Sequence, residues 1–168
     1  MFDILTGNCQ EVLSTYGENF FHSCITDPPY GMGMDHWDHS VPDVDIWREV
    51  YRTLRPGAFC LAFCSPELYH RLACNVEDAG FTIKDQIMWM TTTKMPKNNR
   101  LKPAHEPIVV AQKPYEGSLK DNHEKWGCGL IDTENTRVPW EKEPPKGWIK
   151  GGSKRRVFGG IQNKACDP

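Results

Sequence analysis

The sequence predicts an α/β protein built on one mostly parallel sheet. Three observations carry this. Short apolar runs that read as strands alternate with stretches of helical period along the first 112 residues. Turn chemistry falls at the joins: Pro56-Gly57 closes a helix before a strand, and Gly80 sits where a helix C-terminus wants a positive φ. Finally, Asp27-Pro28-Pro29-Tyr30 ends a strand on a carboxylate, in the crevice where open α/β sheets bind their ligands.

Taken in order, residues 2–6 read as a first strand and 9–16 as a short helix. Residues 22–26 form the next strand, around the apolar run Ser23-Cys24-Ile25-Thr26, and 44–54 the next helix. A strand over 58–64, a helix over 66–79 and strands over 81–90 and 107–112 follow. No helical pattern separates the last two strands, so they are expected to pair antiparallel. Residues 1–114 make one unit. After Pro114 the chain is rich in glycine and proline and poor in apolar residues, with Trp126, Trp140 and Trp148 spaced through it. Residues 115–168 therefore read as an irregular extension, either a partly ordered segment or a linker.

At 168 residues the chain is long enough for a domain with a real core. No apolar run approaches the roughly 18 residues of a membrane span, and no charged-then-apolar signal segment opens the sequence. A membrane partner is not expected. The seven cysteines include no Cys-x-x-Cys pair. Cys24, Cys60 and Cys64 lie in apolar strand-like runs, where a reduced thiol behaves as a small hydrophobe. A reducing, cytoplasmic setting is expected.

Net charge is −2, but it is unevenly placed. Residues 1–112 carry −5 and residues 113–168 carry +3. Lys94, Lys97, Arg100 and Lys102 fall within nine residues that hold no acid. Two readings stand for this stretch: a basic edge that meets a polyanion such as DNA, and a solvated loop.

The Asp27-Pro28-Pro29-Tyr30 turn is the most specific chemical feature. The residue before a proline is pushed toward extended geometry, and each proline fixes its own φ. The result is a rigid turn that presents a carboxylate, proline carbonyls and an aromatic ring together. An exocyclic amine on a nucleobase is a poor nucleophile, because its lone pair is delocalised into the ring. A carboxylate and a proline carbonyl can accept its two N–H groups and favour the geometry from which nitrogen attacks. An aromatic ring gives an extruded base a surface to stack on.

Ile25-Thr26-Asp27-Pro28-Pro29-Tyr30-Gly31 resembles the catalytic motif of the DNA amino-methyltransferases, which methylate adenine N6 or cytosine N4 using S-adenosylmethionine. The likeness extends through Leu5-Thr6-Gly7-Asn8-Cys9, Trp47 to Ala58, His70 to Cys74, Glu77 to Phe81 and Lys102 to Pro114. It covers residues 2 to 114, and 115 to 168 more loosely. It implies a Rossmann-like methyltransferase layer, with double-stranded DNA as partner and S-adenosylmethionine as cofactor. It makes Asp27 the acceptor for the target amine, the Pro28 carbonyl the second acceptor, Pro29 the stiffener of the turn and Tyr30 the stacking ring. It places Gly7, Asn8 and Cys9, with Asp27, along the cofactor. Many relatives carry an acid where Asn8 stands, so Asn8 either bonds an adenine edge or is a turn residue. Lys94, Lys97, Arg100 and Lys102 become DNA contacts, and 115–168 a target-recognition segment. An Asp before Pro-Pro-Tyr leans toward adenine N6.

Other features carry less. Asp35-His36-Trp37-Asp38-His39 suggests a metal, but no second cluster completes a ligand set, so no metal is expected. By resemblance this is the loop that closes over base or cofactor, with Trp37 and Asp38 taking part. Trp89 ends a strand and reads as a core residue, with a DNA contact as the alternative. The family's Phe-x-Gly-x-Gly loop, which grips the methionine end of the cofactor, is absent from the sequence; Phe158-Gly159-Gly160 is the nearest approach. The chain thus reads as an incomplete methyltransferase layer, either the front part of a longer enzyme or a shortened relative. The missing part of such an enzyme would then be a partner. The competing reading is a nucleic-acid-binding remnant without transfer activity.

Overall fold

The computed structural model describes residues 2–93, 95, 101–132 and 135–136, with the backbone alone at 156–157 and 161–162. The elements run α1 (Cys9–Ser14), β1 (Phe21–Thr26), α2 (Val44–Thr53), β2 (Leu54–Phe63), α3 (Tyr69–Asp78), β3 (Thr82–Met90), β4 (His105–Gln112) and α4 (Leu119–Trp126). Two short strands, β5 (Arg156–Val157) and β6 (Ile161–Gln162), pair antiparallel with each other.

The main sheet has the order β1-β2-β4-β3. β1 and β2 are parallel, and β4 runs antiparallel to both β2 and β3. Three strands therefore point the same way and β4 alone is reversed. The expected antiparallel pairing of the last two strands is present, from Thr82 opposite Gln112 to Met90 opposite His105. The carboxyl ends of β1, β2 and β3 consequently share one rim of the sheet.

Local chemistry explains the helices. Asp43 caps α2, its carboxylate accepting the Asp45 and Ile46 N–H groups. Trp47 and Val50 recur on one face of α2, as Leu72 and Val76 do on α3. Those faces bury against Cys60, Ala62, Val109 and Ala111, which the strand register places on one side of the sheet. At the end of α2, the Arg52 guanidinium donates to the Tyr16 and Leu13 carbonyls and ties α1 to the layer. The opposite face of the sheet is more open: Ile25 is 70% exposed.

Three differences from the sequence reading have physical causes. Residues 2–6 belong to no helix or strand, and Phe2, Ile4 and Leu5 are exposed. Alternating apolar residues supply a strand's side-chain pattern, but a strand also needs a neighbour to take its backbone hydrogen bonds. β2 begins at Leu54 and not at 58. Its register against β1 jumps from Leu54 to Phe59, so Pro56 falls in the irregular part and its missing N–H costs no ladder bond. The stretch after Pro114 opens with a helix, α4, capped by Ser118 at its start and by Gly127, at φ 71, at its end. Asn122 fastens it to β2, its amide donating to the Pro56 and Cys128 carbonyls at 3.0 and 3.3 Å.

Candidate active site

Asp27 follows the last residue of β1 and stands exposed at the shared rim. Pro28, Pro29 and Tyr30 are half-buried behind it. Burial first, and then the neighbouring Asp27 carboxylate and the negative charge of Glu106, push the Tyr30 phenol above its ordinary range. Tyr30 therefore remains a neutral donor with an aromatic face. Glu106, at the start of β4, belongs to the same corner.

Gly31 makes the next turn possible. Its φ is 70°, and a Cβ there would sit 2.9 Å from the Ser40 Cα. The chain then folds around Asp38, which is 3% exposed. One carboxylate oxygen accepts the Gly31 N–H at 2.7 Å, and the other accepts those of Met32 and Met34 at 3.1 and 3.2 Å. Burial alone would raise the Asp38 carboxyl. The N–H groups of Met34, Gly31, Met32 and Tyr30 outweigh it and hold the group below the usual range. The loop closes through the Gly33 N–H on the Asp38 carbonyl at 2.8 Å.

The neighbouring polar residues are engaged locally. Asp35 accepts the Trp37 indole N–H at 3.1 Å and pairs with the His36 ring at 2.7 Å, all at the surface. Among the described residues, no group of three or more His, Cys, Asp or Glu side chains could hold a metal ion.

On the other side of Asp27 lies a groove of about 820 Å³, between the outer edge of β1, the segment around Gly7 and helix α2. Gly7, Cys9, Asp27 and Pro28 line it, and Val12 and Trp47 give it apolar walls. Asn8 is placed differently from Gly7 and Cys9. Its side chain caps α1, accepting the Gln10 N–H at 2.9 Å from an extended backbone. It is a helix cap rather than a left-handed turn residue.

Lys94, Lys97 and Arg100 lie outside the described residues, as do Phe158, Gly159 and Gly160. Lys102 is exposed, and its ammonium donates to the Thr92 carbonyl at 2.7 Å, bracing the β3–β4 connection. Trp89 does not pack in the core: it is 59% exposed, with its ring 6.0 Å from that of Phe63 at the sheet rim. Its strand lies at the sheet's edge, so one flank has no neighbour to bury it. No helix among the described residues is long and apolar enough to cross a membrane.

Sequence reasoning gave Asp38 only a general part in a closing loop, and missed that its carboxylate is the loop's centre. The local signal was a small-residue stretch, Gly31-Met32-Gly33, leading to an acid. It also passed over Lys113, a buried lysine that binds the Asn19 side chain and the Tyr51 and Leu54 carbonyls.

With this geometry in place, comparison with known proteins is decisive. The model of the DNA methylase family, of the N6/N4 type, matches residues 21–156. The chain belongs to that family. Type II methyltransferase M.HindIII of Haemophilus influenzae is 24% identical over 191 residues, covering 73% of this chain and 62% of that protein. M1.HpyAVI, solved as a complex with SAM, is 23% identical with a TM-score of 0.51. That likeness covers 68% of this chain and 54% of the other. The cytosine-N4-specific PvuII DNA methyltransferase has the same TM-score at 14% identity, over 73% and 61% of the two chains. These likenesses establish a Rossmann-like methyltransferase fold for the described layer. The chain spans less than two thirds of the length of these relatives.

Proposed function

We propose that this chain carries the target-base part of a DNA amino-methyltransferase. The reaction moves a methyl group from S-adenosylmethionine to the exocyclic amine of an extruded base, adenine N6 being favoured by the acid at position 27. The observation that carries this reading is the Asp27-Pro28-Pro29-Tyr30 turn at the carboxyl end of β1, with Asp27 exposed at the sheet rim and Tyr30 half-buried behind it. Family membership and the relatives' printed activities support it.

The residues present fit the adenosine part of the cofactor. Gly7, Cys9 and Asp27 line a groove whose apolar walls suit a purine and a ribose. S-adenosylmethionine would supply the methyl group. The chain's own residues do the rest. The Asp27 carboxylate and the Pro28 carbonyl accept the two amine N–H groups, which turns the nitrogen lone pair out of the base plane. The Tyr30 ring holds the base flat. The rigid proline turn keeps both acceptors at fixed positions, so little reorganisation is left for the transition state. In this reading Lys94, Lys97, Arg100 and Lys102 meet the phosphates of double-stranded DNA, and residues 115–168 take part in target recognition.

The test is transfer of a tritiated methyl group to mixed-sequence duplex DNA, by the longest reading frame that contains these residues, with the product base identified by chromatography. Label in N6-methyladenine is the expected result. Label in N4-methylcytosine would move the target to cytosine. No incorporation would favour the nucleic-acid-binding remnant.

A further inference from the structure

Asp38 is a buried carboxylate whose partners are backbone amides. Its two oxygens take the N–H groups of Gly31, Met32 and Met34. Three amides of the turn that follows Tyr30 thus converge on one anion. A backbone with its N–H groups turned inward is an anion-binding concavity, and it is held only while an anion fills it. Here the chain supplies the anion itself, from the far end of the same loop. The left-handed Gly31 and its close approach to Ser40 belong to the same arrangement.

Asp38 is itself buried, 3% exposed, in the loop that follows β1. What it fixes is the turn that begins at Gly31, next to Tyr30. We propose that Asp38 is a positioning residue, whose carboxylate locks the backbone from Gly31 to Met34 and so holds the Tyr30 ring as the platform on which the target base stacks. The proposal rests on the reading of Tyr30 as the stacking residue. Without the carboxylate, the converging amides lose their partner and turn toward water, and the turn that begins at Gly31, next to Tyr30, loses its anchor. Asparagine at this position keeps one carbonyl acceptor but presents an NH2 group to the other amides.

The test uses the 168-residue chain and a mixed-sequence single-stranded oligonucleotide carrying 5-iodouracil, a base that forms a covalent adduct on near-ultraviolet irradiation when it lies against an aromatic ring. Adducts are mapped by mass spectrometry. The wild-type chain is expected to give an adduct at Tyr30. Asp38→Ala should lower that adduct by about tenfold or more, with a loss of oligonucleotide affinity no larger than that of Tyr30→Ala and with the cooperative melting transition retained. Asp38→Asn should fall between the two. An undiminished Tyr30 adduct in Asp38→Ala would overturn the proposal. So would equal loss of melting temperature, affinity and adduct in both variants, which would mark Asp38 as merely structural. Absence of a Tyr30 adduct in the wild-type chain would instead remove the stacking reading, and the positioning role with it.

Discussion

The Asp27 carboxylate, three residues back across two prolines, is among the groups that hold the Tyr30 phenol above its ordinary range and keep it neutral. In the proposed reading that carboxylate accepts the target amine, so only the ring of Tyr30 serves the base. Tyr30→Phe should then transfer methyl groups at the wild-type rate. Tyr30→Ala should weaken DNA binding or slow transfer by about 1–3 kcal/mol, the worth of one base–aromatic stack. Steady-state kinetics of the two variants decide this. A Phe variant as damaged as the Ala variant would make the hydroxyl essential.

Lys94, Lys97 and Arg100 should contribute phosphate contacts, whereas Lys102 is already bonded to the Thr92 carbonyl. Each phosphate contact adds about 0.9 to the slope of log affinity against log salt. The triple alanine variant at 94, 97 and 100 should flatten that slope by up to three such steps, and Lys102→Ala should change it by no more than one. An unchanged slope in the triple variant would identify the stretch as solvated surface.

Much of the layer was legible because its signals are local. The proline turn at Asp27, the glycine after α3 and the periods of α2 and α3 each depend on residues close in sequence. What was not legible depends on distant partners. Residues 2–6 have a strand's alternation but no neighbouring strand, and Trp89 has an apolar side chain on an edge strand with one unpaired flank. Asp38 looked like one acid among several in a polar loop. Its importance comes from amides turned toward it, which no composition or spacing reports.

Lys113 was illegible for the same reason, and it makes a stability prediction. It is buried, with its ammonium on the Asn19 side chain and the Tyr51 and Leu54 carbonyls at 2.7 to 3.0 Å, and over the Tyr51 ring. It closes the C-terminal end of α2 from the start of the segment after β4. Lys113→Met keeps the stem but leaves buried acceptors unpaired, each costing about 1–3 kcal/mol. The variant should unfold at clearly lower denaturant. A midpoint equal to wild type would show that water replaces the ammonium at no cost.

The 168-residue chain should bind S-adenosylmethionine far more weakly than a complete methyltransferase site. In the proposed reading, Gly7, Cys9 and Asp27 line the groove that takes the adenosine part. The sequence contains no Phe-x-Gly-x-Gly loop, whose closely approaching backbone N–H groups would hold the methionine carboxylate. Titration calorimetry should find binding weakened by orders of magnitude. Micromolar affinity would mean that another segment grips the methionine end, with Phe158-Gly159-Gly160 the first to test.

The central claim is that Asp27 accepts the target amine in the transition state. Its most direct measurement is the single-turnover rate of methyl transfer for Asp27→Ala, in the longest reading frame containing these residues, taken beside its melting curve. Asp27 is exposed at the end of β1 and outside the apolar core, so the melting curve should not move. The loss of one charge-assisted acceptor should cost about 2–4 kcal/mol, a fall of roughly 10² to 10³ in rate. A rate within a few-fold of wild type, with the fold intact, would remove Asp27 from the chemistry and contradict the account.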